Sequence, residues 1–138
     1  MGKTIIHAGG AGMGSALKLA TNLMLAHLAA GFAEGLLLVQ LSGIDPKRYL
    51  EVLDASTFRS PWYGTKGQTM MQREFAAHFA LKHMRKDLAL MLELAQEQDL
   101  ALPITQAIER LFAASEAAGR SDLDYSAILA QLEGAAAR

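Results

Sequence analysis

"GGAGMGSALKLATN", residues 9–22, decides how the rest of this chain is read. Glycines run straight into a helix-forming stretch, which is how many nucleotide-binding loops meet a phosphate. The dinucleotide fingerprint G-x-G-x-x-G fails in both registers. Gly10-x-Gly12 needs glycine or alanine where Ser15 stands, and Gly12-x-Gly14 needs one where Leu17 stands. The phosphate loop fails as well: Gly9 and Gly14 have its spacing, but Ser15 follows where lysine is required. Glu34 comes 20 residues after Gly14, yet inside a helical stretch instead of at the end of a second strand. The glycines open a helix and do not cradle a phosphate in either standard way.

Outward from that stretch the pattern is helical. "TIIHA" (4–8) is the one strand candidate, and one short strand cannot make a sheet. A helix is expected from Ser15, as N-cap, to about Ser42, with Gly43 as its stop. Asp45 and Pro46 form an N-cap and N1 pair for a helix through about Ala55. "SPWYGTKG" (60–67) reads as a looser turn, and Trp62 and Tyr63 as loop aromatics packed on the core. From Leu81 to Gln98, Leu81, Met84, Leu88, Met91, Leu92 and Ala95 share one stripe. Pro103 opens a helix ending near Gly119, and residues 121–136 supply the last one. The expected fold is all-α, with about six helices around one long apolar helix. The 138 residues form a single domain, 1–138, without repeat or linker.

The long helix is apolar all round between Leu23 and Val39. Such a helix is buried on every side or spans a membrane. Its polar interruptions leave no apolar run near the ~20 residues of a span, so no membrane is expected. At ~28 residues it is about 42 Å long, against a radius of gyration of ~14 Å for a domain of this size. It is therefore expected to extend into a partner, burying Leu28, Phe32, Leu36 and Val39 in a homodimer. A bend, or a break at Gly31 or Gly35, is the alternative.

Composition excludes several classes. With a formal net charge of −1, nothing suggests a nucleic-acid partner. No cysteine is present, so disulfides and thiolate zinc sites are out. Met1 and "GKTII" are too short and polar for a secretory segment, and a cytoplasmic location is expected. His7, His27, His78 and His83 lack ligand spacing, His78 and His83 being five apart, so no metal site is expected. The seven methionines read as gap-filling core or interface.

Lys18 and Asn22, four residues apart, share one face of the opening helix. The positive end of the helix dipole disfavours charge on Lys18, and burial among Leu17, Leu19 and Leu25 would disfavour it further. A lysine so placed can move a proton near neutral pH, with Asn22 holding a substrate oxygen beside it. From spacing alone, the favoured reading is a surface lysine and a solvated asparagine.

The pattern Gly9-x-x-Gly12-x-Gly14-x-x-x-Lys18-x-x-x-Asn22 resembles the catalytic-helix motif of the β-hydroxyacid dehydrogenases, the 3-hydroxyisobutyrate dehydrogenase family. "AEGLLL" (33–38), "GIDP" (43–46), Ser56 with Ser60, "FAAHFALKHMRKDLALMLELA" (75–95), "LPIT" (102–105) and "GRSDLDYSAI" (119–128) match in order. The proline common in the family's glycine stretch is missing from "GGAGMG". The resemblance covers the family's C-terminal helical domain, and the N-terminal Rossmann domain is absent from this sequence.

The resemblance implies that Lys18 is the acid–base lysine and that Asn22, Phe79 and Asp87 bind substrate. It implies that Lys86 reaches the cofactor, NAD or NADP, which the Rossmann domain mainly holds. Taken alone, Lys86 reads as solvated, Phe79 as core and Asp87 as a surface acid. The implied activity is oxidation of a small 3-hydroxy acid or reduction of the matching aldehyde or keto acid. This chain would supply the catalytic half, be inactive in isolation, and require a Rossmann-domain partner. The other reading is a binding or oligomerisation module derived from that domain, without turnover.

Overall fold

The computed structural model describes residues 4–136. Six α-helices are present among them: α1 (Met13–Leu41), α2 (Pro46–Ala55), α3 (Gln68–Gln72), α4 (Leu81–Glu97), α5 (Pro103–Ser115) and α6 (Ile128–Ala136). Thr4–Ala8 is irregular, and the strand candidate is not a strand. The described residues are all-α, with one isolated bridge between Ala80 and Asp124.

Helix α1 is unbroken through Gly31 and Gly35. It begins two residues before Ser15, capped by Gly12 at φ 85° with no side-chain hydrogen bond. A left-handed residue is needed there, and glycine adopts it at no steric cost. Ser15 is therefore inside the helix and caps nothing. The C-terminal stop is as the sequence predicts. Gly43 at φ 75° donates to the Gln40 carbonyl at 3.0 Å, and the Ile44 N–H reaches that of Val39 at 3.1 Å. The Asp45 carboxylate then caps α2, accepting from the Lys47 N–H at 3.0 Å.

Residues 60–72 depart from the loose turn expected. Ser60 Oγ accepts from the Trp62 N–H at 3.2 Å, and the chain winds through a π-helical turn, Tyr63–Gly67, into α3. Gly67 is what lets this turn approach α1, since a side chain there would press on Phe32 and Leu50. The last stretch also differs. Residues 121–124 pair with the segment before α4, and helix resumes only at Tyr125–Ala127 and α6.

The core sits against the second half of α1, where Ala26, Ala29, Ala30, Phe32, Ala33 and Leu36 are buried. Small residues on that face let α4, α5 and α6 pack closely on it. From α4, Leu81, Met84, Leu88, Met91 and Ala95 complete the packing, as the stripe predicts, while Leu92 is only partly buried. Phe32 and Leu36 were expected between subunits, yet both are buried within this one chain, so they are not available to a partner. Phe32 stacks on Tyr49 at 5.4 Å and meets Trp62 edge-on at 5.7 Å. The part of α1 that extends beyond the core is its first half, Met13 to Leu25, which is not fully buried anywhere. By length and composition α1 could cross a bilayer, despite its polar interruptions; in this fold its second half is a bundle helix.

Candidate active site

The first turns of α1 lie against α4, and there Lys18 and Asn22 converge on one acid. Asn22 Nδ2 donates to Asp87 Oδ2 at 2.6 Å. Lys18 Nζ reaches the same oxygen at 3.4 Å. The Lys18 side chain is 65% exposed and that of Asp87 10%. Burial among Leu17, Leu19 and Leu25 is therefore not what surrounds this lysine; a carboxylate on the next helix is. The cluster thus holds a cation, an amide and an anion within hydrogen-bond reach at the surface end of two packed helices. That arrangement can hold and exchange a proton at a ligand oxygen.

The structure brings together three of the five residues singled out from the sequence. No hydrogen bond, ion pair or ring contact among the described residues ties Phe79 or Lys86 to the Lys18–Asn22–Asp87 cluster. Phe79 packs edge-on to Tyr125 at 6.0 Å and tilts over His83 at 6.2 Å. Lys86 borders a charged groove with Lys82, Arg85 and Glu116. Arg85 pairs with Glu109 and Glu116, and Lys82 with Asp122. Lys86 has no ion-pair partner among the described residues. Asp87, which alone reads as a surface acid, is buried. The signal was its place on the stripe, three residues after Met84 and four before Met91.

A second cluster escaped sequence reasoning. Asp124 is 1% exposed by side chain and pairs with Lys66, 15% exposed, at 2.7 Å. Its Oδ2 also accepts from the His78 and Phe79 N–H groups at 3.0 and 3.2 Å. Its Oδ1 accepts from the Ser126 N–H and hydroxyl at 3.1 and 2.7 Å. Lys66 Nζ lies 3.5 Å from His78 Nδ1 and 5.1 Å from the centre of the Tyr125 ring, whose hydroxyl accepts from Trp62 Nε1 at 2.8 Å. Burial alone would push the Asp124 carboxyl up; the hydrogen bonds from Lys66, Ser126 and the backbone outweigh it and hold the group below its usual value. His27 lies 3.1 Å from Thr105 Oγ1, and its burial lowers its pKa. Among the described residues no group of three His, Cys, Asp or Glu side chains is arranged to hold a metal.

Residues 12–132 match the family described as "NAD-binding of NADP-dependent 3-hydroxyisobutyrate dehydrogenase". The chain is 37% identical over 138 residues to glyoxylate/succinic semialdehyde reductase 2, chloroplastic, of Arabidopsis thaliana, covering 100% of this chain and 38% of the relative. It is 34% identical over 122 residues to the cytokine-like nuclear factor N-PAC of Aedes aegypti, covering 88% of this chain and 22% of that protein. Among solved structures, Mycobacterium tuberculosis 3-hydroxyisobutyrate dehydrogenase with L-serine superposes with a TM-score of 0.84 at 26% identity. That match covers 94% of this chain and 46% of the other. The chain thus spans less than half the length of each of these relatives.

The Lys66–Asp124 pair yields a stability test. Removing one member of a buried pair leaves an uncompensated charge, at a cost of roughly 3–5 kcal/mol. Lys66→Met should lower unfolding free energy by about 3 kcal/mol in urea titration; a loss under about 1 kcal/mol would show that the pair holds nothing. Because the folded carboxyl is held below its unfolded value of about 4, its contribution is complete above that pH. It is lost as the pH falls through the folded value. The penalty of Lys66→Met should accordingly shrink as the pH falls through that value.

Proposed function

This chain belongs to the 3-hydroxyisobutyrate dehydrogenase-like family of β-hydroxyacid dehydrogenases, and we propose that it supplies the acid–base and substrate-holding half of an NAD(P)-dependent oxidoreductase. The substrate class is a small 3-hydroxy acid or the matching aldehyde or keto acid. The observation that carries this reading is the convergence of Lys18 and Asn22 beside Asp87. In the reducing direction Lys18 Nζ gives a proton to the carbonyl oxygen, and in the oxidising direction it takes the hydroxyl proton back. Asn22 holds that oxygen in place. Hydride chemistry is what a nicotinamide supplies when bound.

The described residues lack the strand–glycine turn–helix unit of the standard dinucleotide cradle. Gly12 opens α1 after an irregular stretch, not after a strand, and no acid stands at the end of a second strand for the ribose. Lys86 is the side chain suited to one charge-assisted contact with the cofactor. We therefore place most of the dinucleotide's hold on a Rossmann-type partner domain, although the matched family's description names NAD binding. By itself this chain is expected to be inactive. Its location is read as cytoplasmic, on composition alone.

A second reading has its own support. That reading is a module that binds or oligomerises without turnover, and its support is a similarity to a protein named as a nuclear factor and not as a dehydrogenase or reductase. The two readings part on Lys18, which the module does not need. Either reading accommodates a homodimer, which we place on the exposed apolar surface instead of on Phe32 and Leu36. Met24, Leu38 and Leu41 are exposed on α1. An apolar groove of about 310 Å³ lies between α1 and α4, bordered by Leu19, Leu23, Met91, Leu94, Leu100 and Leu102. Exposed apolar surface of this kind marks an interaction site.

Three measurements test these proposals. Joined to a compatible dinucleotide-binding domain, Lys18→Ala should lose at least ~100-fold in rate on a small hydroxy acid; unchanged turnover would sink the assignment. Asn22→Ala should be milder and act partly on substrate affinity. Calorimetry of the 138-residue chain with NAD and with NADP should give affinities weaker than millimolar. A single charge-assisted contact contributes ~1.5–3 kcal/mol, against the ~4 kcal/mol that a millimolar constant needs. A micromolar constant would place the cofactor site here. Sedimentation should show a dimer or larger assembly, and Leu38→Lys should weaken it; a compact monomer at micromolar concentration speaks against any self-association.

A further inference from the structure

We infer that Asp87 is a positioning residue, whose carboxylate fixes the face that the Asn22 amide and the Lys18 ammonium offer to a ligand. The inference rests on the catalytic reading above, but its geometry stands without it. An ionised carboxylate only accepts hydrogen bonds. With Asn22 Nδ2 2.6 Å from Asp87 Oδ2, the amide nitrogen is turned toward α4 and Oδ1 away from it. An asparagine with no such neighbour presents either atom, because the two sides have nearly the same shape. Next to Asp87 it presents one: a carbonyl acceptor, with the second N–H to spare.

The same oxygen receives Lys18 Nζ, so the long and exposed lysine is referenced to the same point as the asparagine. Asp87 can serve as that point because its backbone and stem are fixed. It sits on the buried stripe of α4 with Met84, Leu88 and Met91 and is itself buried. Its other oxygen, Oδ1, takes no hydrogen bond among the described residues. An acid at a stripe position costs stability that an apolar residue there would not, since a desolvated charge repays its penalty only in part. The geometry assigns that acid to orientation. The ligand group matched by the Asn22 acceptor is a hydroxyl donor, a carbonyl oxygen can be held only by the spare N–H, and a ligand carboxylate is repelled by Asp87 from the same position.

Asn22 is the sole asparagine in the sequence, so ¹⁵N-asparagine labelling of the whole chain reports on this amide alone. The measurement is exchange of its side-chain N–H protons with water by NMR, against free asparagine at the same pH. The unaltered chain should exchange about 10-fold slower or more for the proton held by the carboxylate, the factor expected of a charge-assisted hydrogen bond. Asp87→Leu, which suits the stripe and removes the acceptor, should return exchange to the free rate with the fold retained. Asp87→Ala provides the same test should the larger side chain fail to pack. Lys18→Met should leave Asn22 slow. Exchange at the free rate in the unaltered chain overturns the proposal. So does an Asp87 variant that changes stability and leaves Asn22 protected, which would make the acid merely structural. Turnover plays no part in this measurement. An active Lys18→Ala enzyme would remove the catalytic reading and leave the exchange result standing, and the reverse holds equally.

Discussion

Asp124 is the contact on which the site's architecture depends. One buried carboxylate receives Lys66, the Ser126 hydroxyl and three backbone N–H groups. It thereby joins three stretches far apart in sequence: the π-helical turn after α2, the segment before α4, and the loop before α6. Around it the two loops zip together, Asp124 N–H to the Phe75 carbonyl and Tyr125 N–H to that of Phe79. Helix α4 has no side-chain cap. Its leading N–H groups of Leu81 and Lys82 are satisfied instead by the carbonyls of Leu123 and Ser121, at 2.8 and 3.1 Å. The start of α4 is therefore set by the loop that Asp124 organises. Asp87, six residues on, inherits its position from that start.

The other half of the site is set by α1, which has two jobs along its length. From Ala26 to Leu36 its small and apolar face is the floor of the core. From Met13 to Leu25 it is partly or fully exposed, and there it carries Lys18 and Asn22. Lys18 and Asn22 thus stand on a rigid element whose orientation is fixed by packing well away from them. A catalytic group on a packed helix holds its geometry better than one on a loop.

Those two halves were unequally legible in the sequence. Signals that act locally were read correctly: Asp45–Pro46, Gly43, Pro103 and the α4 stripe each settle their own backbone within a turn. What failed depended on contacts from elsewhere. Ser15 has the chemistry of a cap, but Gly12 takes the left-handed turn first. Residues 60–67 carry proline and glycine, yet the chain stays helical because Gly67 can close on Phe32 and Leu50. Phe32 is expected against a partner because nothing local shows that α2 and the 60–67 turn fold back over it. Lys66 and Asp124 are 58 residues apart, and no spacing rule pairs them. The lysine–asparagine pair was visible at i, i+4, but its meaning, like the place of Asp87 beside it, came from the family resemblance.

The exposure of Lys18 changes how its chemistry must be understood. A lysine moved toward neutral-pH proton transfer by burial needs an apolar enclosure, and the first half of α1 does not provide one. What it has is a fixed anion at 3.4 Å on one side and open surface on the other. Whatever covers the open side would exclude water and strengthen every charge interaction beneath it. In the proposed enzyme that cover is the cofactor-bearing domain with its substrate, which would complete the lysine's environment.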